Sequence, residues 1–570
     1  MRIELTEVLR FLDLILNQNV VEDQSKFLLT DLPNFLKSDY VYNQLFNVIY
    51  SNDYPVEYRL QSSILIKNNF INHYKNLNYI CNDYKVEIRQ SFLNFSFLLD
   101  NDAIADLVFK SFSKVVRFDY PRYWPDLLNN LLFILNENFN NDVQSLNSFN
   151  LLKLKRLFHL INYVVKELST VKILTKASVM LDIINTLFNP ILNVYKLTYD
   201  YLLHNLNIHL LLNNDLLDLL SINLNSFKIL YKFSTYNFSR CDESEFIRTS
   251  AFVHLIIQHF PMLIQARLSL SADLSSVNYA NDNVNKSLAS LTSLLNGYSR
   301  LFKKLQLTQQ KKFSQIDQIQ SIIPILWSQI QSAGTSKQIS NLPTSLYPNK
   351  LIINSILILK LCLADWIPNN YQLENKLAII NDDFAVEVTK FLLLNYIPLT
   401  IKDLELWNQD PEQFVNDDDL DQWEVDPRPC AENLIIGTLI KRRDVLSNLL
   451  IQFLNDAANL PPTTIDHIIY KESVYRIISK SCEYIRENID FENVLSNTFI
   501  PEVQLDMIES KILRRRICSL LGKFAGENME PQSYSKIYTI ILHCLRPIQP
   551  INDVAVQITA AITLCDCVDT

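Results

Sequence analysis

Apolar residues recur along this chain at intervals of three and four, with polar residues between them. Leu5, Val8, Leu9, Leu12, Ile15 and Leu16 trace one such stripe. Leu154, Leu157, Phe158, Ile161, Val165 and Leu168 trace a second, and Ile558, Ala561, Ile562, Cys565 and Val568 a third. This is the period of an α-helix with one face turned inward. The pattern breaks at Asp119-Tyr-Pro121, Asn140-Asn141, Ser271–Asn285, Ser332–Pro348, Asn408–Pro429 and Asn459–Thr464. Between the breaks the helices come in pairs. Prolines at Trp124-Pro125, Phe260-Pro261 and Ile500-Pro501 are expected to open first helices, since proline is tolerated in a first turn. Each stripe is one-sided, so each helix needs neighbours to cover it.

Pairs recurring at about forty residues are the signature of HEAT-type repeats. The expected fold class is all-α, a HEAT-repeat α-solenoid built as a superhelical stack of helix pairs with contacts mainly between neighbours. Composition agrees: the chain has 570 residues, 48% of them apolar, and only five glycines, too few for the turns of a large sheet protein. Its nine cysteines have no ligand spacing and read as reduced thiols. No run of about 18 uninterrupted apolar residues occurs, so no membrane span is expected.

Charge changes the picture at one place. From Asp403 to Asp426 there are ten acidic residues and no Lys or Arg; without them the chain's net −9 becomes +1. So many like charges are expected to leave a solvated, mobile excursion, with Trp407 and Trp423 anchoring its ends and Asp417, Asp418, Asp419 and Asp421 free to meet a basic partner. The alternative is a plain solvated loop. Overall acidity argues against nucleic acid as a partner. Lys441-Arg442-Arg443 and Arg514-Arg515-Arg516 are basic triplets on helices, expected to lie on solvated faces.

No enzyme, cofactor or metal site is read. Gly522-Lys-Phe-Ala-Gly526 lacks the setting of a phosphate loop. The His204/His209 and His254/His259 pairs are spaced five apart, which splays them around a helix. No nucleophile elbow occurs, and the paired carboxylates lie only in the solvated acidic run. A binding scaffold remains.

Three stretches resemble one family. Arg59-Leu-Gln-Ser-Ser-Ile-Leu-Ile-Lys67-Asn68 is similar to the second helix of the importin-β N-terminal repeat. Asp119-Tyr-Pro-Arg-Tyr-Trp124-Pro125 is similar to the opening of the third repeat. Leu406-Trp407-Asn-Gln-Asp410-Pro411-Glu412-Gln-Phe414, with Trp423 and Arg428-Pro429-Cys430-Ala-Glu432, resembles the acidic insertion of large karyopherins. The combination is most like the importin-eleven type, and Leu513–Gly522 and Val554–Ala561 fit the same group. Lys75 departs from the pattern, standing where many relatives place an aromatic residue.

The resemblance implies a nuclear transport receptor, an importin that binds protein cargo with basic segments, shuttles between cytoplasm and nucleus, passes the pore on Phe-Gly nucleoporins and is switched by Ran-GTP. It implies Ran contacts on second helices near Val56–Tyr74, Ala103–Arg117 and Leu151–Leu168. Arg59, Lys67, Asn68 and Lys110 are the candidates, with Asp417, Asp418, Asp419 and Asp421 contacting Ran or cargo. For Arg59 and Lys67 a purely structural role competes. The expected division is an importin-β-type domain over 1–100, HEAT repeats over 101–400, the acidic insertion over 401–430 and further repeats over 431–570. Receptors of this kind are about twice as long, so the chain reads as their N-terminal half. An exportin, or a HEAT scaffold outside transport, is the alternative.

Overall fold

The computed structural model describes residues 4–16, 30–38, 40–75, 80–170, 174–206, 213–236, 238–276, 282–342, 344–365, 380–420, 422–525 and 531–568. The chain divides into two compact units, Met1–Leu301 and Phe302–Thr570.

The first unit contains α1 (Leu5–Leu16), α2 (Val41–Tyr50), α3 (Val56–Leu65, continued by a π turn Ile66–Phe70 and a last turn Ile71–Tyr74), α4 (Asn82–Phe95), α5 (Asp102–Asp119), α6 (Leu127–Asn138), α7 (Ser148–Ser169), α8 (Leu174–Asn205), α9 (Asn214–Thr235) and α10 (Glu243–Ser276). Helix α11 (Asp282–Thr308) holds the point of division. The second unit continues with α12 (Ile322–Ser336), α13 (Asn349–Asp365), α14 (Asp382–Asn395), α15 (Ile401–Gln409), α16 (Pro411–Asp419), α17 (Pro427–Lys441), α18 (Arg443–Asn459), α19 (Ile465–Lys480), α20 (Ser510–Phe524), α21 (Pro531–Leu545) and α22 (Val554–Val568). Among the described residues the only strand pairing joins Ile339–Ser340 to Tyr347–Pro348.

Asparagines outside those breaks in the pattern start several helices. The side chains of Asn101, Asn147, Asn213 and Asn381 each accept a backbone N–H of the following first turn, one of the four donors that a helix start leaves unpaired. Second helices stack in a row. In the first unit α3, α5, α7 and α9 follow one another, with α2, α6 and α8 packed behind; in the second the row is α13, α17, α19, α20 and α22. Aromatic rings set the register at the start of the first row. Phe92 of α4 stacks on Phe112 of α5, and Phe46 of α2 meets both Phe70 of the π turn and Phe112. Each such ring removes a large apolar area from water, worth about 1.5–3 kcal/mol.

Several local expectations change. Pro261 does not open a helix but lies inside α10. Pro125 stands just before α6, and Trp124 beside it is buried, with the Arg89 guanidinium over its ring. The stretch Glu243–Leu274 is long and apolar enough to cross a membrane by length and composition, yet Phe252, Val253, Ile256 and Phe260 place it in the packed core. The Lys75 ammonium sits 4.3 Å from the Phe118 ring centre, so a cation–π contact occupies the position where an aromatic was expected.

Candidate interaction site

The acidic segment lies between α14 and α17, and it is folded. Thr400 caps α15 and Asp403 returns the bond, forming a capping box. Asp410 then caps α16, with Pro411 as its first residue and the Gln413 N–H donating to the Asp410 carboxylate at 2.9 Å. Two short helices result, and both have an inward face. Trp407 is 2% exposed and stacks on Phe414, ring centres 4.9 Å apart; Val415 is buried beside them. Trp407 Nε1 donates to Asp553 Oδ2 at 2.7 Å, before the first turn of α22, and Lys511 Nζ bridges Asp553 and Asn408, each at 3.1 Å. The Arg515 guanidinium lies over both rings, 4.9 Å from Phe414 and 5.7 Å from Trp407. Trp407 is therefore an anchor, as expected, while Trp423 is only half-buried.

One turn beyond Phe414, Asp418 enters a cage of four arginines. Its Oδ2 accepts from Arg515 Nη1 at 2.8 Å and Arg516 Nη2 at 3.0 Å. Its Oδ1 accepts from Arg428 Nη1 at 3.4 Å and from Arg476 Nη1. Two more carboxylates complete the network. Glu472 receives Arg428 Nη2 at 2.9 Å and Arg516 Nε at 2.8 Å, and Glu432 receives Arg476 Nε. The side chains of Asp418, Arg476, Arg515 and Arg516 are 6%, 4%, 3% and 5% exposed, so the cage is closed to solvent. The arginines come from α17, α19 and α20, so one carboxylate ties together three successive members of the inner row.

This overturns the expectation of a free, mobile run. Burial alone would raise the pKa of the Asp418 carboxyl; Arg476, Arg515, Arg516 and Arg428 outweigh it and hold the group well below the usual carboxylate range. Burial likewise works against ionised Glu472, and Arg428, Arg516 and Arg476 bring its pKa below the ordinary value. A carboxyl with a depressed folded pKa stabilises the fold fully above its unfolded pKa and loses that stabilisation as pH falls through the folded value. The network is therefore expected to hold from pH 8 down to about 4 and to weaken only below, near the unfolded carboxylate range. Acid titration of the second unit's thermal midpoint checks this, and Asp418→Asn should flatten its acid limb.

The expectation of solvated basic triplets fails at Arg514-Arg515-Arg516, all three buried. Arg514 donates to Asn552 Oδ1 at 2.6 Å and to the Leu505 carbonyl at 2.9 Å. Of the other predicted loop residues, Asp417 is exposed, and the Asp419 side chain and Asp421 lie outside the described residues. Glu405, Asp410, Glu412, Asp417 and Glu424 face solvent. The segment thus has an apolar, singly charged inner face and an acidic outer one.

In the first unit the candidates separate. Arg59 is 3% exposed; its Nε donates to the Ile49 carbonyl at 3.1 Å and Nη2 to Asp100 Oδ1 at 2.8 Å. Arg156 of α7 reaches the same turn through the Leu99 and Asp100 carbonyls at 2.7 and 3.0 Å, and Lys155 bridges Asp102 and Asp218 at 3.0 and 2.9 Å. Arg59 therefore holds repeats in register and offers no surface to a partner. Lys67 and Asn68 are exposed, carried outward on the π turn, a distortion often found where a helix has a function. Lys110 is ion-paired to Asp106 one turn earlier and lies 5.6 Å from the Tyr163 ring centre, 42% exposed. Sequence reasoning missed Arg428, Arg476, Arg515, Arg516, Glu432 and Glu472 as parts of one site.

No protein-family profile matches the chain. It is 21% identical over 470 residues to importin-11 of Homo sapiens, a match covering 79% of this chain and 44% of that protein. The chain thus spans less than half the length of this relative. Among solved structures, Lph2, a bidirectional nuclear transport receptor of S. cerevisiae, superposes with a TM-score of 0.75 at 19% identity over 98% of this chain and 53% of its own. The exportin Cse1 in its cargo-free, cytoplasmic state superposes with a TM-score of 0.63 at 16% identity over 99% of this chain and 57% of its own. Over most of its length the chain is thus similar in sequence to importin-11, and it shares the helix-pair fold of Lph2 and Cse1.

Proposed function

We propose that this chain is a nuclear transport receptor that binds protein cargo, is switched by Ran-GTP and passes the nuclear pore on Phe-Gly nucleoporins, shuttling between cytoplasm and nucleus. The observation that carries the reading is the sequence relationship to importin-11 along most of the chain. Lys67 and Asn68 are the proposed Ran contacts, and they support it by their exposure on a distorted helix. Lys110 is proposed as a weaker contact, because it must first leave Asp106. The outward carboxylates of the acidic segment are the proposed meeting point for basic stretches of cargo or Ran, attracting them at long range.

Changing Lys67 and Asn68 together to Ala should weaken Ran-GTP binding by about 1.5–3 kcal/mol and leave the thermal midpoint unchanged. Titration of Ran-GTP and Ran-GDP onto the wild type and the folded double variant measures this. Equal affinity for the two nucleotide states would defeat the Ran switch; wild-type affinity in the variant would remove only the two residues. A second reading is favoured by the likeness to Cse1 and to the bidirectional Lph2. An exportin would bind cargo more tightly with Ran-GTP, an importin less tightly.

A further inference from the structure

The arginine cage is a finished anion site, and the chain supplies its own occupant. Four guanidinium groups converge on the Asp418 carboxylate, and among the described residues of the row Glu432 and Glu472 offset them. With Asp418 withdrawn the cage keeps four positive charges against two negative. Arg515 Nε is buried and finds no acceptor among the described residues, so the cage holds a donor that the present occupant leaves unused. Beside it lies a seat for aromatic rings, where Trp407 and Phe414 are buried beneath the Arg515 guanidinium of α20, Lys511 covers Trp407, and α16 packs on α22. The occupant is a short acidic helix with its aromatic residue and its carboxylate one turn apart, at Phe414 and Asp418.

We propose that this seat on α17, α19 and α20 is a binding site for an acidic amphipathic helix of a partner protein, and that residues 401–420 are a built-in competitor occupying it. The chemistry selects the partner. A basic segment meets the outward carboxylates without disturbing the seat. Only a ligand with both a carboxylate and an adjacent aromatic face replaces what the strap contributes, and desolvated guanidinium groups left empty are costly, so strap and ligand exchange. The strap costs the ligand a fixed part of its affinity, and anything that lifts the strap returns it. The inference stands on the cage geometry and does not depend on the transport reading.

The test uses a fluorescent peptide with the sequence Ile401–Leu420 and the full chain. Binding to a full-length chain opened by Trp407→Ala and Asp418→Ala should be saturable, and about ten-fold or more tighter than binding to wild type. A peptide carrying Asp418→Asn should bind the opened chain about ten-fold or more weakly. Inorganic phosphate at the peptide's concentration should not compete, since it has charge but no apolar face. Should the opened chain lose its helical circular dichroism, excess peptide on the wild-type chain is expected to speed amide exchange across residues 401–420, whereas the Asp418→Asn peptide leaves it unchanged. Equal binding of the two peptides overturns the proposal. So does displacement by phosphate alone, or the lack of both binding to the opened chain and release of the strap in wild type.

Discussion

Asp418→Asn should destabilise the second unit by about 3–5 kcal/mol, the usual loss when one partner of a buried ion pair is removed. Asparagine keeps the shape and one carbonyl oxygen, so the change reports the charge. It leaves Arg428, Arg476, Arg515 and Arg516 facing two glutamates, and it turns an amide donor toward guanidinium donors. Asp417→Asn, one residue away and exposed, is the control and should stay within about 0.5 kcal/mol of wild type. Chemical denaturation followed by helical circular dichroism measures both. Similar values for the two variants would mean that the cage does not hold in solution.

Trp407→Ala should cost about 3–5 kcal/mol, the range for emptying a large aromatic site. The ring is buried, stacks on Phe414 and lies beneath Lys511 and Arg515. Trp407→Phe keeps much of the stack and loses the 2.7 Å bond to Asp553, which Lys511 still holds, so it should cost only about 1 kcal/mol beyond the lost ring area. Trp407 and Asp418 belong to one strap, so their combined loss should fall short of the sum. Full additivity in the double variant would show two independent attachments.

The fold was legible because it rests on local signals. One-sided stripes of period 3.6 and few glycines state helix pairs without any knowledge of distant contacts. The acidic segment was misread for the opposite reason. Counting charge along the sequence treats each carboxylate as unpartnered, yet the arginines that neutralise Asp418 lie as far as 97 and 98 residues away. Arg514-Arg515-Arg516 was misread by the same step, as three cations with nothing near them. Local evidence for order did exist. Thr400-x-x-Asp403 is a capping pattern, Asp410-Pro411 is a cap followed by a first-turn proline, and each of the two short helices carries buried apolar residues, Trp407 on the first and Phe414 and Val415 on the second. Net charge outweighed these signals, although the charges carried on two short helices can be divided between two faces. Arg59 differs: its role depends on the Asp100 turn, and nothing in its own helix distinguishes a buried arginine from a docking one.

The bond from Trp407 to Asp553 closes a loop of 146 residues in a fold whose other links are mostly short. A ribosome delivers the chain in order, so Pro411–Asp419 emerges well before Ser510–Phe524. At about 5–20 residues per second the strap waits on the order of 5–20 s for the last arginines of its cage. Through that interval it is the hydrated polyanion its composition describes, repelling its own kind and resisting aggregation. When the arginine triplet arrives, a carboxylate is already tethered nearby, so Arg515 and Arg516, two cations bound for a dry interior, meet their counter-charge as they fold. The acidic run thus has two successive physical states within one round of synthesis, first as a solubilising tail on an unfinished protein and then as the keystone of the finished one.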